Sequence, residues 1–466
     1  MTPTRAVVLG GGLAGMLAAT SLAAQVDQVT VVDRDRLPDD PRPRSGVPQA
    51  RHTHLLMSGG ARTIDRLLPG TLDRLIARGA RRIGIPNEMV SLSAQGWIHR
   101  FPEIQFMVSC SRGLLDWVVR TQALANPRIT VRDHTDVLGL DGDRTRVTGV
   151  LVADRGSGTQ ERLPADITVD ATGRGSKMRR WLEPLGLPAA REETVDSGLA
   201  YATRVFQAPA AAARRFPLIN IQASPQDAEP GKTATLLPIE EGRWMVTLSG
   251  TRGGEPPTDE DRFVDFARSV RHPLVGDLIA TARPLSGVYS SHSTVNRRVY
   301  YERLPVWPDG LVVLGDALAT FNPVYGHGMS VAAHSAATLG AGLRRYGLAT
   351  PGTTRRIQRA LARTVDTAWV MATSQDILYP GAVGKPQPRL LRLSRRYVDR
   401  LSRAATREPR VTAAMMNAFT LSAPMTSLLH PAVVLATLRG PRRPPLAGPT
   451  ITQEERDFCV EQHPSA

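Results

Sequence analysis

The residues Val7-Val8-Leu9-Gly10-Gly11-Gly12-Leu13-Ala14-Gly15 constrain this chain more than any other stretch. Two β-branched residues and a Leu read as a short buried parallel strand. Gly10, Gly12 and Gly15 follow at the spacing G-x-G-x-x-G, and the small apolar run Met16-Leu17-Ala18-Ala19 suits a helix packed on a sheet. The first glycine permits a sharp strand-to-helix turn. The second lets backbone approach a pyrophosphate, and the third lets helix and strand pack closely. The helix's first N–H groups, around Leu13 and Ala14, have no internal partner and face the phosphates. A second strand at 29–32 ends at Asp33, eighteen residues past Gly15. An acid there accepts from ribose hydroxyls and repels a 2′-phosphate. The stretch predicts a dinucleotide site for FAD or NAD rather than NADP.

A chain of 466 residues exceeds one compact core, so two intertwined domains are expected. No run of about 18 uncharged apolar residues appears, so no membrane span is expected. Met1 leads straight into the first strand without room for a signal peptide, which implies a cytoplasmic protein. The two cysteines, Cys110 and Cys459, form no disulfide framework, and no Cys/His cluster has metal spacing. The net charge of +15 invites a nucleic-acid partner. However, Lys177, Lys232 and Lys385 are the only lysines, and the arginines are scattered. Compositional bias and solvated faces explain that pattern better than a nucleic-acid groove.

Along the chain, Arg44-Ser45-Gly46-Val47-Pro48-Gln49-Ala50-Arg51-His52-Thr53-His54 reads as a fixed irregular loop. Residues 60–82 carry helical periodicity, and 88–108 read as two short strands around Gly96, with Trp97 and Phe101 over a pocket. Ser111 is a predicted N-cap for a helix with apolar positions 114, 115, 118 and 119. Arg112 in its first turn opposes the helix dipole, which calls for a buried anion nearby. Strands at 129–131 and 147–152, with a turn at Asp141-Gly142, read as a small meander. The strand at 165–170 runs into a glycine turn, and Ser176 begins a basic helix. Alternating strands at 199–206, 218–223, 233–239 and 244–249 predict an antiparallel sheet. Residues 351–440 read as helical, and 441–466 as a loosely docked proline-rich tail.

A second motif selects the cofactor. The apolar run 310–314 ends in Gly315-Asp316, and ligands gather at the carboxyl ends of such strands. Asp316 suits a ribityl hydroxyl. Pro323 and Gly326-His327-Gly328 offer close backbone approach to a flat ring. The helix opening at 328–330, with Met329, points N–H dipoles at negative charge on a reduced ring. Joined to the first motif, this favours FAD over NAD.

Together with Asp170-Ala171-Thr172-Gly173, these motifs resemble the FAD monooxygenases of the para-hydroxybenzoate hydroxylase fold. Arg44-Ser45-Gly46-Val47-Pro48-Gln49 with His52 and His54, Ser111-Arg112 and Thr172-Gly173-Arg174-Gly175-Ser176 carry a closer resemblance. So do Arg243-Trp244, Thr251-Arg252-Gly253 and Phe321-Asn322-Pro323-Val324-Tyr325-Gly326-His327-Gly328-Met329-Ser330. They are similar to the flavin-dependent polyene epoxidases of polyether biosynthesis, the monensin and lasalocid type, over about residues 5–440. The resemblance implies an α/β fold: a Rossmann-like FAD domain with an inserted antiparallel-sheet substrate domain and C-terminal helices. Its expected pieces are an FAD domain at 1–85, 109–190 and 296–345, and substrate-domain strands at 86–108. The substrate sheet spans 191–295, a helical region 346–440 and the tail 441–466.

By the same resemblance, FAD contacts are expected from Gly10, Gly12, Leu13, Ala14, Gly15, Asp33, Arg34, Arg44, Gln49 and Arg112. Val137, Thr172, Gly173, Gly315, Asp316, Pro323, Gly326, Gly328 and Met329 complete the set. Trp97, Phe101, Tyr201, Leu237, Trp244 and Tyr325 either line an apolar pocket or form plain sheet core. His327 is the titratable residue of the flavin loop, with a proton role and a structural hydrogen bond both open. The implied chemistry is oxygen transfer from a flavin C4a-hydroperoxide, formed from O₂, to alkenes of a linear polyene. The broader family has Asp-Gly where this chain has Thr172-Gly173. Reducing equivalents from NAD(P)H are therefore expected through a separate flavin reductase. Hydroxylation of an aromatic polyketide and prenyl-chain reduction are the alternatives. A halogenase would need a Trp-x-Trp-x-Ile-Pro segment that is absent here.

Overall fold

The computed structural model describes residues 3–44, 46–213, 215–292, 294–385 and 389–460. Ser45 of the irregular loop and residues 461–466 of the tail lie outside the described residues, as does the side chain of Cys459. Five parallel strands form the central sheet, in the order Leu311–Val313, Ile167–Asp170, Arg5–Leu9, Gln28–Val32, Ile129–Arg132. The three middle strands carry Val, Ile and Leu side chains that are almost wholly buried, as a sheet covered on both faces requires. Helices Leu13–Ala23 and Gly328–Tyr346 pack together against it and share its core. This is the α/β class expected from the sequence.

The second body is a seven-stranded sheet. Its order is Tyr289–Ser291, Ala200–Gln207, Arg243–Gly250, Lys232–Ile239, Leu218–Ile221, Met89–Ser93, Gly96–Trp97. Leu218–Ile221 pairs in parallel with Met89–Ser93, so strands far apart in the chain share one sheet. Helices Phe263–Ser269 and Leu274–Ile279, which the strand pattern did not foretell, cover its outer face. Helices Thr353–Asp376, Arg389–Ala405, Pro409–Phe419 and Pro431–Arg439 complete the chain's second half. No helix among the described residues is long and apolar enough to cross a membrane.

Four local expectations need correction. Ile129–Arg132 is the edge of the central sheet, while the meander is Thr135–Gly142, Val147–Asp154 and Gln160–Pro164. The stretch 60–82 is two helices, Ser58–Leu67 and Thr71–Ala77, broken at Pro69-Gly70. Its end turns into strand Arg81–Ile85. A third small sheet joins that strand and Leu55–Met57 to Gln105–Ser109. The described part of the tail, residues 441–460, is docked: Arg100 donates to Glu455 through two bonds of 2.8 and 2.9 Å, and Ile451 enters the outer core.

Candidate active site

Four loops leave the carboxyl ends of four adjacent parallel strands, where ligands of such sheets bind. They are Gly10–Gly12 after Leu9, Asp33 after Val32, the 171–176 turn after Asp170, and Gly315-Asp316 beyond Val313. Gly10 has φ +96°, and a Cβ there would lie 2.7 Å from the Ala171 carbonyl oxygen. A Cβ on Gly15 would stand 1.8 Å from the Gly10 carbonyl oxygen, so helix and turn touch backbone to backbone. At Gly12 the nearest group is the Arg44 guanidinium, 3.4 Å from a built Cβ. Asp33 Oδ2 accepts from Gly11 N at 2.6 Å and Arg44 Nη1 at 2.9 Å, and Oδ1 accepts from Asp35 N at 2.8 Å. Arg34 and Gln49 are exposed, Gln49 on the turn Pro48–Arg51. Val137 lies on the first meander strand, partly buried against the main core.

The turn after Asp170 is built around that buried carboxylate. Oδ1 accepts from Thr172 N at 2.9 Å and Thr172 Oγ1 at 2.6 Å, and Oδ2 accepts from Ser176 Oγ at 2.6 Å. Burial pushes the Asp170 carboxyl up, and these three donors oppose the rise. Gly173 and Gly175 have nothing within 4 Å of a built Cβ, leaving an open backbone ledge.

Gly315 has φ +61°, and a Cβ there would lie 3.1 Å from Ala14 Cβ. The two cofactor motifs, about 300 residues apart in sequence, are thus neighbours. Burial pushes the Asp316 carboxyl up, while the Arg112 and Arg174 guanidiniums pull it down. Arg112 donates through Nε to Asp116 Oδ1 at 2.7 Å and also faces Asp316, so two half-buried acids stand near the first turn that it occupies. A Cβ on Gly328 would meet Asp316 Oδ1 no closer than 3.9 Å, leaving the start of helix Gly328–Tyr346 open to a ligand. Pro323 is exposed and Met329 buried at this helix start. His327 donates through Nε2 to the Phe419 carbonyl at 3.0 Å, since a carbonyl only accepts. Its Nδ1 is buried without a partner among the described residues, and burial pulls the imidazole down to about 4, so the ring is neutral at pH 7.

The inner face of the second sheet meets these loops. Tyr201 Oη donates to Asn322 Oδ1 at 3.0 Å. Beside it a hydroxyl band links His52 Nδ1 to Thr203 Oγ1 at 2.8 Å, Thr203 to Thr247 at 2.7 Å, and Thr247 to Thr53 at 2.6 Å. His54 Nδ1 donates to the His52 carbonyl at 2.8 Å, and burial pulls His52 down to about 4 and His54 to about 3. Next to the band lies an apolar layer containing Met57, Met89, Met107, Leu237, Met245 and Met416. It abuts the flavin loop, since a Cβ on Gly326 would lie 2.9 Å from Met57 Cε.

The residues grouped as one pocket divide between faces. Tyr201 and Leu237 are on the inner face. Trp244 pairs with Phe206 and packs against Phe216 with ring centroids 4.8 Å apart, in the outer core. Side chains alternate along a strand, so Trp244 and Met245 necessarily face opposite ways. Trp97 belongs to the same outer core and meets His272 edge-on. Phe101 stacks on His99 and lies under Arg443 of the tail. For Trp97, Phe101 and Trp244 the pocket reading is corrected. Tyr325 is at the loop, but its hydroxyl is turned to Asp376.

Sequence reasoning missed Asp170, Arg174, Asn296 and Asp376 as site-forming residues. Asp170 carried a signal, since it closes a strand beside two hydroxyl residues. Asp376 carried none, being one acid at the end of a long helix.

The fold and this cradle define a flavin-dependent enzyme whose second sheet is set against the loops of the first. Residues 3–346 match the family described as an FAD binding domain, and the chain belongs to that family, within the FAD-dependent monooxygenases. It is 32% identical over 428 residues, 89% of each chain, to Protein Rv3254 of Mycobacterium tuberculosis. It is 29% identical over 342 residues, 70% of each chain, to kynurenine 3-monooxygenase of Salinispora tropica. Among solved structures, a flavoprotein/dehydrogenase from Cytophaga hutchinsonii superposes with a TM-score of 0.66 at 14% identity, covering 93% of this chain and 96% of its own.

FAD fits the residues present. The cradle is open where glycines stand at 12, 173, 175 and 328, and it carries an acid at each end, buried Asp33 and half-buried Asp316.

Proposed function

We propose that this chain epoxidises alkenes of a linear polyene, with FAD lying between the first glycine turn and the Asp316 loop. Bound and reduced, FAD supplies the activation of O₂ from which one oxygen atom is transferred. Gly10–Gly15 and Arg44 hold its pyrophosphate, Asp33 a ribose, and Asp316 the ribityl chain. The N–H groups that open helix Gly328–Tyr346 favour negative charge on the reduced ring. The apolar layer of Met57, Met89, Met107, Leu237, Met245 and Met416 excludes water and positions the alkene. Its chemistry is the observation that carries the reading: unbranched thioethers conform to a long flexible chain better than rigid side chains do. No triad or carboxylate pair is needed. The reaction belongs in the cytoplasm, with reducing equivalents from NAD(P)H delivered by a separate flavin reductase.

One observation favours a second reading, hydroxylation of an aromatic polyketide. The band Thr53, Thr247, Thr203, His52 offers a polar wall to a ring bearing oxygens. The relative named kynurenine 3-monooxygenase points the same way. Incubation with FAD, NADPH, a flavin reductase and ¹⁸O₂ separates the two. Linear polyenes should gain one labelled oxygen per alkene, acid-labile as epoxides are. Turnover of phenolic polyketides alone selects the second reading, and a preparation that stays colourless with FAD removes both.

A further inference from the structure

Asp376 ends helix Thr353–Asp376 and is 2% exposed. Its partners among the described residues are neutral donors rather than a cation. Oδ2 accepts from Asn296 Nδ2 at 2.6 Å and from Asn322 Nδ2 at 2.8 Å, and Oδ1 accepts from the Tyr325 hydroxyl at 2.7 Å. Asn322 is engaged on both sides of its amide and at its backbone N–H. Its backbone N–H donates to Asn296 Oδ1 at 2.7 Å, and its Oδ1 accepts from Val324 N at 3.1 Å and Tyr201 Oη at 3.0 Å. One carboxylate thus ties the end of a helix to strand Asn296–Val299, to the turn Pro323–Tyr325 and, through Asn322, to the substrate strand Ala200–Gln207.

A buried carboxylate without a counter-ion is an expensive way to fasten a helix end, tolerable only when every lone pair is met. Here the donors converge from the flavin loop and from the residues behind the substrate sheet. We propose that Asp376 is a positioning residue that holds the Pro323–Gly326 turn in place against the ring of bound FAD. It also fixes Asn322 as the acceptor for Tyr201. The Tyr201 proton is committed to Asn322, so its oxygen meets substrate only as an acceptor and selects a substrate group that donates. The proposal rests on the reading that FAD and substrate lie on either side of this turn.

The test uses the full chain with FAD. Asp376→Asn keeps the shape but turns an N–H₂ toward Asn322 Nδ2 or the Tyr325 hydroxyl. Expected are an apoprotein with wild-type far-UV dichroism, FAD affinity at least tenfold weaker by fluorescence quenching, and altered visible dichroism of the bound flavin. Adding Asn322→Asp restores one carboxylate facing one amide, and should bring affinity within threefold of wild type. Asp376→Asn with wild-type affinity and wild-type visible dichroism overturns the proposal. So does a variant with a lower thermal midpoint but an unchanged flavin spectrum, which marks a merely structural residue. If Asp376→Asn does not fold, Tyr325→Phe decides, since it removes one donor and leaves the charge: altered visible dichroism supports the proposal and an unchanged spectrum overturns it. Failure of the wild type itself to bind FAD removes the underlying reading instead.

Discussion

Arg44 and Asp33 form an ion pair of 2.9 Å at the mouth of the first glycine turn, each side chain less than a tenth exposed. The acid suited to a ribose is therefore also the anchor of the loop that carries Arg44 over Gly12. Gly11 and Asp35 N–H groups still reach Asp33 when the arginine is lost. Arg44→Ala should then lower the unfolding free energy of the apoprotein by about 2 kcal/mol, below the full cost of orphaning a buried charge. Arg44→Lys should keep most of that stability yet bind FAD more weakly, because a point charge cannot serve acid and pyrophosphate as a planar fork does. Urea titration and flavin fluorescence check the two halves separately.

Gly12 and Gly15 should fail differently. A Cβ at 15 would lie 1.8 Å from the Gly10 carbonyl oxygen, and no side chain can move to relieve it. Gly15→Ala should yield little folded protein. At 12 the nearest atom ends a flexible arginine, at 3.4 Å. Gly12→Val should fold, with native far-UV dichroism, and purify without flavin. Normal flavin content in Gly12→Val would refute the assigned pyrophosphate position.

Local chemistry explains how much of this was legible in the sequence. The glycine turn and Ser111, whose hydroxyl accepts from Leu114 N at 3.2 Å, are short-range features with one physical solution, and both were readable. Which face of a strand looks inward is set by alternation, but the sign of that alternation needs the sheet's partners. Trp244 illustrates the ambiguity, because helices Phe263–Ser269 and Leu274–Ile279 cover the face on which it lies. Asp376 meets Asn296 and Asn322 across 80 and 54 residues, a convergence that no local pattern encodes.

The histidines set a pH dependence. Burial pulls His52 and His327 from 6.5 to about 4. Between those values the unfolded chain holds more protons, so stability is fully present above 6.5 and falls as pH drops toward 4. Each contributes up to about 1.4 kcal/mol per pH unit in that window. The raised carboxyls of Asp170, Asp316 and Asp376 act in the opposite sense, costing stability as pH rises above the ordinary carboxyl value of 3.8. The difference between wild type and His327→Gln isolates one imidazole. Glutamine can still donate to the Phe419 carbonyl, and urea unfolding at pH 7, 6 and 5 should show a shallower loss in the variant.

Neighbouring residues of strand Arg243–Gly250 should separate stability from specificity. Trp244→Ala opens a cavity in the outer core and should cost about 3–5 kcal/mol without changing which substrates are accepted. Met245→Trp overfills the inner apolar layer and should cost about 1–3 kcal/mol while narrowing the accepted chain. Product profiles that follow Trp244 rather than Met245 would place the substrate on the wrong face of the sheet.

Thr172 bears on how the flavin is reduced. Its hydroxyl is committed to Asp170 at 2.6 Å, so no free carboxylate stands at that turn position. NADPH alone should bleach the bound flavin slowly under anaerobic conditions, and a catalytic amount of flavin reductase should make bleaching fast. Thr172→Asp should not restore direct reduction. It sets a second carboxyl against buried Asp170, and like charges so close cannot both ionise, which destabilises the turn instead. Stopped-flow absorbance at the flavin band, with and without reductase, measures both rates. Fast bleaching of the wild type by NADPH alone would show that Thr172 does not block the donor.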